Sequence, residues 1–238
     1  MKNPKEELSE YLNILIGRFF YIKNLDNQLK VLKDWESPKR VEAIEVGSHL
    51  FGLLSYSFQR TILIELCILL SKREEKSLFD FLLKSEENAN AIIPQMDIQL
   101  RDNPNISVNQ YKPLIQEHKK QLDEKSDIIK RIEARRDKNL AHADATFFNN
   151  PNDIYQRYPI DINEIDELME IISNILKAHH IYLFGVDMDM EFRTSSGTEA
   201  ILIYIRAYKR IWEDDRLKHI NSSIYSQDDY NTTESIYY

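Results

Sequence analysis

Residues 113–144 of the sequence read PLIQEHKKQLDEKSDIIKRIEARRDKNLAHAD. Apolar residues stand seven apart in this stretch, at Ile115, Leu122 and Ile129, and the next position in the series is Arg136. A seven-residue spacing keeps side chains on one face of a helix. The stretch therefore predicts a long helix whose buried seam ends on an arginine.

Helical periodicity also recurs in the first third of the chain. Apolar residues follow spacings of three and four through residues 8–32, which predicts a long amphipathic first helix. Ser37 and Pro38 are typical of a helix start, so we predict a second helix from there to about Lys72.

The middle of the chain predicts further helices separated by loops. Residues 77–93 predict one or two shorter helices, interrupted at Pro94. Residues 145–161 mix asparagine, proline and aromatic residues without a period, which predicts a loop. Asp161 or Asn163 can cap the next helix. The predicted buried stripe of that helix is Ile165, Leu168, Ile172, Ile175, His179 and Leu183.

A last helix is predicted at about residues 196–218. Ser196 and Glu199 match a capping box at its start. Residues 220–238 contain no lysine or arginine and no helical period, which predicts a mobile tail. We therefore predict an all-α bundle of about six helices, with long antiparallel helices, forming a single domain over residues 1–219. The predicted apolar face of the last helix is Ile201, Ile205, Tyr208 and Trp212.

Composition excludes several classes of function. The formal net charge is -8, so binding of a polyanion would depend on a local basic patch. A single cysteine, Cys67, excludes an internal disulfide framework, and five glycines leave no glycine-rich phosphate loop. The start of the chain, MKNPKEELSEYLN, shows no secretory signal, and the most apolar window, residues 51–71, contains Arg60 and Glu65. We expect a cytoplasmic protein, without a membrane span, in which this window is a core helix.

An arginine on a buried seam needs an anionic partner, because burying an unpaired charge is costly. Asp137, Asp144 or a carboxylate of another helix could pair with Arg136 inside the chain, and a phosphate or a partner chain could do so from outside. The candidate carboxylates of the predicted second helix are Glu42, Glu45 and Glu65.

His142 follows Arg136 by six residues. In a regular helix six residues correspond to a rotation of about 120° and a rise of roughly 9 Å, so the two side chains would diverge. Either the helix ends near Leu140 and the chain turns, or two copies of the chain share their motifs in one site. A histidine between charged neighbours can titrate near neutrality and serve as a general acid or base.

The motif resembles the signature of the HEPN superfamily of helical nuclease and nucleotide-binding domains. In that signature an arginine is followed by a polar residue and, after a short spacer, by a histidine. The fuller pattern is similar to the abortive-infection AbiU-type branch, over roughly residues 5–185. It consists here of Arg136, Asp137, Lys138, Ala141, His142 and Asp144.

The resemblance implies a metal-independent endoribonuclease without a cofactor, acting as a homodimer on RNA through attack by the ribose 2′-OH. His142 would transfer protons and Arg136 would hold the phosphate oxygens. Asp137 would orient Arg136 or His142. Lys138 and Arg135 would contact phosphate, with Asp144 and Asn139 in support. The resemblance also allows for an antitoxin or another protein partner.

Two other functions stay open at this point. One is a non-catalytic HEPN-type module that binds RNA, nucleotide or protein and uses Arg136 and His142 structurally. The other is a dimeric helical scaffold with an internal ion pair. Residues 119–138 hold eight lysines and arginines against five acidic residues, which fits a local RNA-binding patch or an ordinary solvated helix face. His179 with His180 lacks a third ligand at metal-binding spacing, so we predict a core or interface histidine and no metal site.

Overall fold

The computed structural model describes residues 3–38, 40–100, 107–140, 153–190 and 197–213. Within these ranges every regular element is helical and none is a strand, which confirms the predicted all-α fold class. A short 3-10 helix, Val108–Gln110, precedes α5, and a π-helical turn, Arg136–Leu140, follows α6. The α-helices are α1 Pro4–Trp35, α2 Val41–Val46, α3 Ser48–Leu70, α4 Leu78–Gln99, α5 Tyr111–Glu124, α6 Ser126–Arg135, α7 Asp153–Arg157, α8 Ile162–Phe184 and α9 Gly197–Glu213.

Two of the predicted long helices are each divided once. The predicted second helix is α2 and α3, separated at Gly47, a residue with low helix propensity. The helix of the opening stretch is α5 and α6, separated at Lys125. Ser37 and Pro38 do not open α2, because the Ser37 carbonyl accepts the backbone N–H of Arg40 in a turn that precedes the helix.

Two loop predictions were wrong. Pro94 does not interrupt a helix, because α4 continues through it with buried Ile92 and Met96 on either side. Apolar burial there offsets the one backbone hydrogen bond that a proline removes. In the predicted loop the single turn of α7 forms around fully buried Ile154, and one turn is too short to give a period in the sequence.

Helix α8 forms as the sequence predicted. The Asp161 side chain accepts the backbone N–H of Asn163, and Glu164 bonds back to the Asp161 N–H in a capping box. Gly185 ends the helix in the left-handed conformation, with φ 77°. All six residues of the predicted stripe are buried. The stripe lies on the side of α8 that packs against α4 and α5, which also contact each other.

The chain divides into two compact units. Unit 1 comprises Met1–Asp26 and Gln59–Arg193, and unit 2 comprises Asn27–Phe58 and Thr194–Tyr238. Helices α1 and α3 contribute residues to both. The single domain over residues 1–219 stays a prediction, and the predicted tail lies outside the described residues.

The face of α9 that packs in unit 2 includes Leu202, which was not predicted, and shares Ile205 with the predicted face. Leu202 is fully buried against a cluster that includes Trp35 and Phe51, and Ile205 packs against the same cluster. Ile201 and Tyr208 are instead exposed, at 56% and 42%. The choice of face depends on which residues of α1, α2 and α3 meet the helix, and the sequence of α9 does not contain that information. The side chain of Trp212 and residue Ser196 lie outside what the structure describes.

The C-terminal half of α3 is a core segment, as predicted for the most apolar window. Leu66, Leu69 and Leu70 are fully buried in unit 1. Among the described helices α3 is also the one long and apolar enough to span a membrane, by length and composition alone, and 33% of its most apolar window is buried. Buried helices of soluble proteins share these properties, so the absence of a membrane span stays a prediction.

A buried chain of hydrogen bonds crosses the core of unit 1. The Tyr111 hydroxyl lies 3.1 Å from Nδ1 of His179, and Nε2 of His179 lies 3.2 Å from Nδ1 of His118. All three bonding positions are satisfied when the imidazoles are neutral. His179 is therefore a core histidine, and its ring packs against the Phe81 ring in a T-shaped contact. Burial lowers the pKa of His118 to about 4 and holds the pKa of His179 well below its usual range.

We expect acid to destabilise this core. Between about pH 6.5 and pH 4 the unfolded chain binds protons at His118 and His179 that the folded chain does not, so the free energy of unfolding falls as pH falls. The expected loss from pH 7 to pH 5 is about 2 kcal/mol for His118, measured by chemical denaturation. His118→Asn should reduce this dependence, because only His179 then contributes to it. Equal pH dependence in the wild type and in His118→Asn would contradict the assignment.

Candidate functional site

The predicted seam is present and ends on Arg136. Ile115 and Leu122 are fully buried and Ile129 is 6% exposed. The side chain of Arg136, at the next seam position, is 17% exposed. The α-helix ends one residue earlier, and Arg136 opens the π-helical turn. A π-turn rotates less per residue than an α-helix, so residues Arg136–Leu140 depart from the regular helix assumed from the sequence.

Two carboxylates hold the Arg136 guanidinium. Its Nε donates to Oδ1 of Asp137 over 2.8 Å, and its Nη1 donates to Oε1 of Glu74 over 3.0 Å. Burial lowers the pKa of Arg136, but the hydrogen bonds to these carboxylates outweigh burial and the net shift is upward. The guanidinium is therefore a fixed positive charge at the inner end of the motif.

Asp137 lies between two arginines. Besides Arg136 it faces Nη1 of Arg73 at 3.7 Å. The resemblance implied that Asp137 would orient either Arg136 or His142. In the structure Asp137 contacts Arg136. Glu74 and Arg73 both belong to the charged segment KREEKS, residues 72–77, between α3 and α4. Neither residue was predicted as part of the site, although the density of charge in this segment was a signal that could have indicated them.

The carboxylates predicted on the second helix have other partners. Glu65 pairs with Arg18 over 2.5 Å, and Glu42 pairs with Arg206. Glu45 faces Lys209 at 3.5 Å. None of the three contacts Arg136, because its partner comes from the segment that follows α3 rather than from the helix itself.

Cys67 is close enough to Arg136 to interact with its charge. The thiol is 1% exposed, and burial raises its pKa to about 12, against the opposing effect of the guanidinium. A neutral thiol of this kind behaves as a small apolar side chain. Cys67 thus forms part of the apolar layer beside Arg136.

The predicted phosphate-binding residues Arg135 and Lys138 point toward tyrosines. Nε of Arg135 donates to the Tyr158 carbonyl over 2.7 Å, and its guanidinium lies 4.9 Å from the centre of the Tyr155 ring. Lys138 Nζ lies 5.5 Å from the centre of the Tyr158 ring. Burial lowers the pKa of Arg135. These cations therefore flank the motif beside the segment around α7, whereas Arg136 faces Glu74.

His142 and Asp144 lie outside the described residues, so the structure does not test the placement of either side chain. The backbone of Asn139 is part of the π-turn, and nothing is described of its side chain. Among the predicted site residues, the structure thus brings together Arg136 and Asp137. The roles of all the predicted site residues stay predictions.

One helical turn before the motif, Arg131 ties α6 to the start of α8. Its Nη1 and Nη2 contact the two carboxylate oxygens of Glu164 at 3.0 and 2.6 Å, and it also bonds the Pro159 carbonyl. The hydrogen bond from Arg131 and the bond to the Asp161 N–H lower the pKa of Glu164 to about 2. This two-pronged pair fixes the helix that presents Arg135 and Arg136.

The comparisons agree with this motif. Residues 99–211 match the family model described as HEPN_AbiU2, AbiU2. This match over slightly less than half of the chain supports the resemblance to the AbiU-type branch of the HEPN superfamily that was stated from the sequence. The match begins later than the resemblance did and includes α9, which the resemblance had left out. Neither curated proteins nor solved structures gave a match.

We expect Arg131→Gln to lower the free energy of unfolding by about 1 to 2 kcal/mol, because it removes a two-pronged hydrogen-bonded pair in which the arginine is 19% exposed. Chemical denaturation at neutral pH measures the change. Lys120→Gln is the control. Its pair with Glu124 is 3.7 Å long with a lysine 78% exposed, so a change below about 0.5 kcal/mol is expected. Equal effects of the two substitutions would show that the Arg131 pair does not fix α6.

Proposed function

We propose that this protein is an abortive-infection effector that cleaves RNA as a metal-independent endoribonuclease, with an active site shared between two copies of the chain. The observation that carries the proposal is Arg136, a charged guanidinium at the end of a buried seam, six residues before His142 and bound by its neighbour Asp137. The HEPN_AbiU2 match over residues 99–211 supports this class of protein. We propose that this activity takes place in the cytoplasm.

The proposed reaction uses the 2′-OH of the substrate as the nucleophile. A histidine takes the proton of the 2′-OH, the 2′ oxygen bonds to the adjacent phosphorus, and the bond from phosphorus to the 5′ oxygen breaks. The leaving 5′ oxygen takes a proton from a second acid. The products are a 2′,3′-cyclic phosphate and a 5′-hydroxyl. Water supplies this second proton, and two copies of the chain form two sites, each with His142 of one copy beside Arg136 of the other.

Arg136 is suited to the charge that develops on the phosphate. Its planar fork can contact two non-bridging oxygens at once, and its charge does not depend on pH in the working range. In the structure the fork is bound by Glu74 and Asp137, whose side chains are 39% and 42% exposed. An incoming phosphate would replace one of these carboxylates on the guanidinium.

The direct test incubates the purified protein with a mixed RNA pool in EDTA. We expect cleavage by the wild type and loss of cleavage by more than about a hundredfold in His142→Ala and Arg136→Ala. Arg136→Lys keeps a cation beside Glu74 and Asp137 and controls for folding, together with circular dichroism of each variant. Absence of cleavage across several RNA classes would overturn the proposal, and a requirement for added Mg²⁺ would overturn the mechanism.

A mixing experiment tests the shared site. Arg136→Ala and His142→Ala chains are each expected to be inactive alone. If Arg136 of one chain works with His142 of the other, an unfolded and refolded equimolar mixture regains about a quarter of wild-type activity, because half of the dimers have one intact site of two. If both residues act within one chain, every site retains a defect and no activity returns.

The second candidate is a non-catalytic HEPN-type module, and the pairing of Arg136 inside its own chain favours it. Contacts with Glu74 and Asp137 are what a structural arginine on a seam requires. This candidate predicts that loss of Arg136 destabilises the protein and that no RNA is cleaved.

Glu74→Gln separates the two candidates. If Glu74 occupies a phosphate position, its neutralisation should lower the KM for RNA about two- to fivefold, because one competing negative charge is removed. Glu75→Gln makes the same change of charge at the adjacent exposed residue and should have little effect. A structural ion pair predicts the opposite pattern for Glu74→Gln, a less stable protein with unchanged affinity for RNA.

A further inference from the structure

A cleft of about 420 Å³ opens beside the motif in unit 1. Its apolar surface comes from Phe79, in the first turn of α4, and from Ile129 on the seam. Its charged surface combines the cations Lys72, Arg73 and Lys130 with the carboxylates of Asp123 and Glu133. We call this the Phe79 cleft. Its volume falls in the range of small-molecule sites, and its combination of an aromatic ring with cations fits a flat apolar group that carries negative charge.

The lysines of the Phe79 cleft can turn toward a ligand at a small cost in free energy. Lys72 Nζ lies 4.6 Å from the centre of the Phe79 ring and 2.7 Å from Oδ1 of Asp123. This ion pair is solvent-exposed on both sides, at 61% and 57%, and such pairs contribute little to stability. Lys130 is exposed and makes no ion pair with any residue that the structure describes. A ligand phosphate could therefore recruit both lysines.

The cleft is connected to the motif through Arg73. Arg73 lines the Phe79 cleft and also faces Asp137 at 3.7 Å, and Asp137 in turn binds Arg136. A ligand that reaches from the cleft past Arg73 would therefore meet the guanidinium proposed to hold the scissile phosphate. This continuity distinguishes the Phe79 cleft from the cleft around Tyr11, which contains neither Arg73 nor any residue of the motif.

We propose that the Phe79 cleft is a nucleotide subsite for single-stranded RNA. It holds the base of a nucleotide next to the scissile phosphate against Phe79 and Ile129, while Lys72, Arg73 and Lys130 contact the flanking phosphates. The base must be unstacked to enter, which selects single strands over duplex. This inference rests on the proposed function for the identity of the polymer. The contacts proposed for the Phe79 cleft require only that RNA binds there, not that it is cleaved.

Binding is measured by fluorescence anisotropy with a labelled, short 2′-O-methyl oligoribonucleotide, which cannot be cleaved because it lacks the 2′-OH. Phe79→Leu keeps an apolar side chain but removes the ring, so affinity should fall about 5- to 30-fold at unchanged salt dependence. Phe79→Trp should retain affinity. Lys130→Gln should reduce the slope of log K against log salt by about 0.7, the value for one phosphate contact on a single strand.

Lys84→Gln is the matched control. Lys84 lies over the Tyr11 ring at 5.3 Å and pairs with Asp80 over 2.7 Å, an arrangement like that of Lys72, but in the other cleft. Lys84→Gln changes the net charge by the same amount as Lys130→Gln. Because Lys84 does not line the Phe79 cleft, the substitution should leave both the affinity for the oligonucleotide and the salt slope unchanged. Wild-type affinity in Phe79→Leu, or equal effects of the two lysine variants, would overturn the subsite.

Two further outcomes separate the sources of the ligand and the two proposals. Adenosine 5′-monophosphate that competes as strongly as the oligonucleotide would identify a mononucleotide site and overturn the RNA subsite. Binding that depends on Phe79 without cleavage of any RNA would support the subsite and overturn the ribonuclease. Cleavage that depends on Arg136 and His142, with an unchanged KM in Phe79→Leu, would support the ribonuclease and overturn the subsite.

Discussion

The charge of Arg136 at the end of an apolar seam is the constraint on which the candidate site depends. The seam of α5 and α6 brings the guanidinium to the edge of the core, where it is 17% exposed and requires anionic partners. Glu74 and Asp137 provide them, and Glu74 thereby ties the segment after α3 to the motif. Arg73, in the same segment, extends the charged network from Asp137 to the Phe79 cleft.

Features that depend on local sequence could be predicted. The seven-residue spacing placed Arg136 on the buried face of its helix, even though Lys125 divides that helix. The apolar stripe and cap of α8 also formed as predicted, because a capping box and a regular period are properties of a single segment. The motif likewise indicated the HEPN family from the sequence alone, since its residues lie within nine positions of one another.

Features that depend on contacts distant in sequence could not be predicted. Glu74 precedes Arg136 by 62 positions, and no rule of spacing selects it over Glu42 or Glu65. The buried face of α9 follows Leu202 because of the cluster it meets, not because of its own period. The prediction at Pro94 was wrong for the same reason, since burial on both sides of a proline is a tertiary property that overrides local preference.

The proposed catalysis requires one carboxylate of the Arg136 ion pair to give way to a phosphate, and the exposure of that carboxylate decides whether the exchange is energetically feasible. Arg136 is shielded, whereas Glu74 and Asp137 are about two-fifths exposed, so either carboxylate can turn into water without being buried unpaired. A phosphate that takes the vacated position keeps the guanidinium paired throughout. The exchange therefore avoids the large cost of an unpaired charge beside Cys67, and it replaces one charge-assisted pair by another of similar strength. A fully buried carboxylate partner would have made that exchange prohibitive.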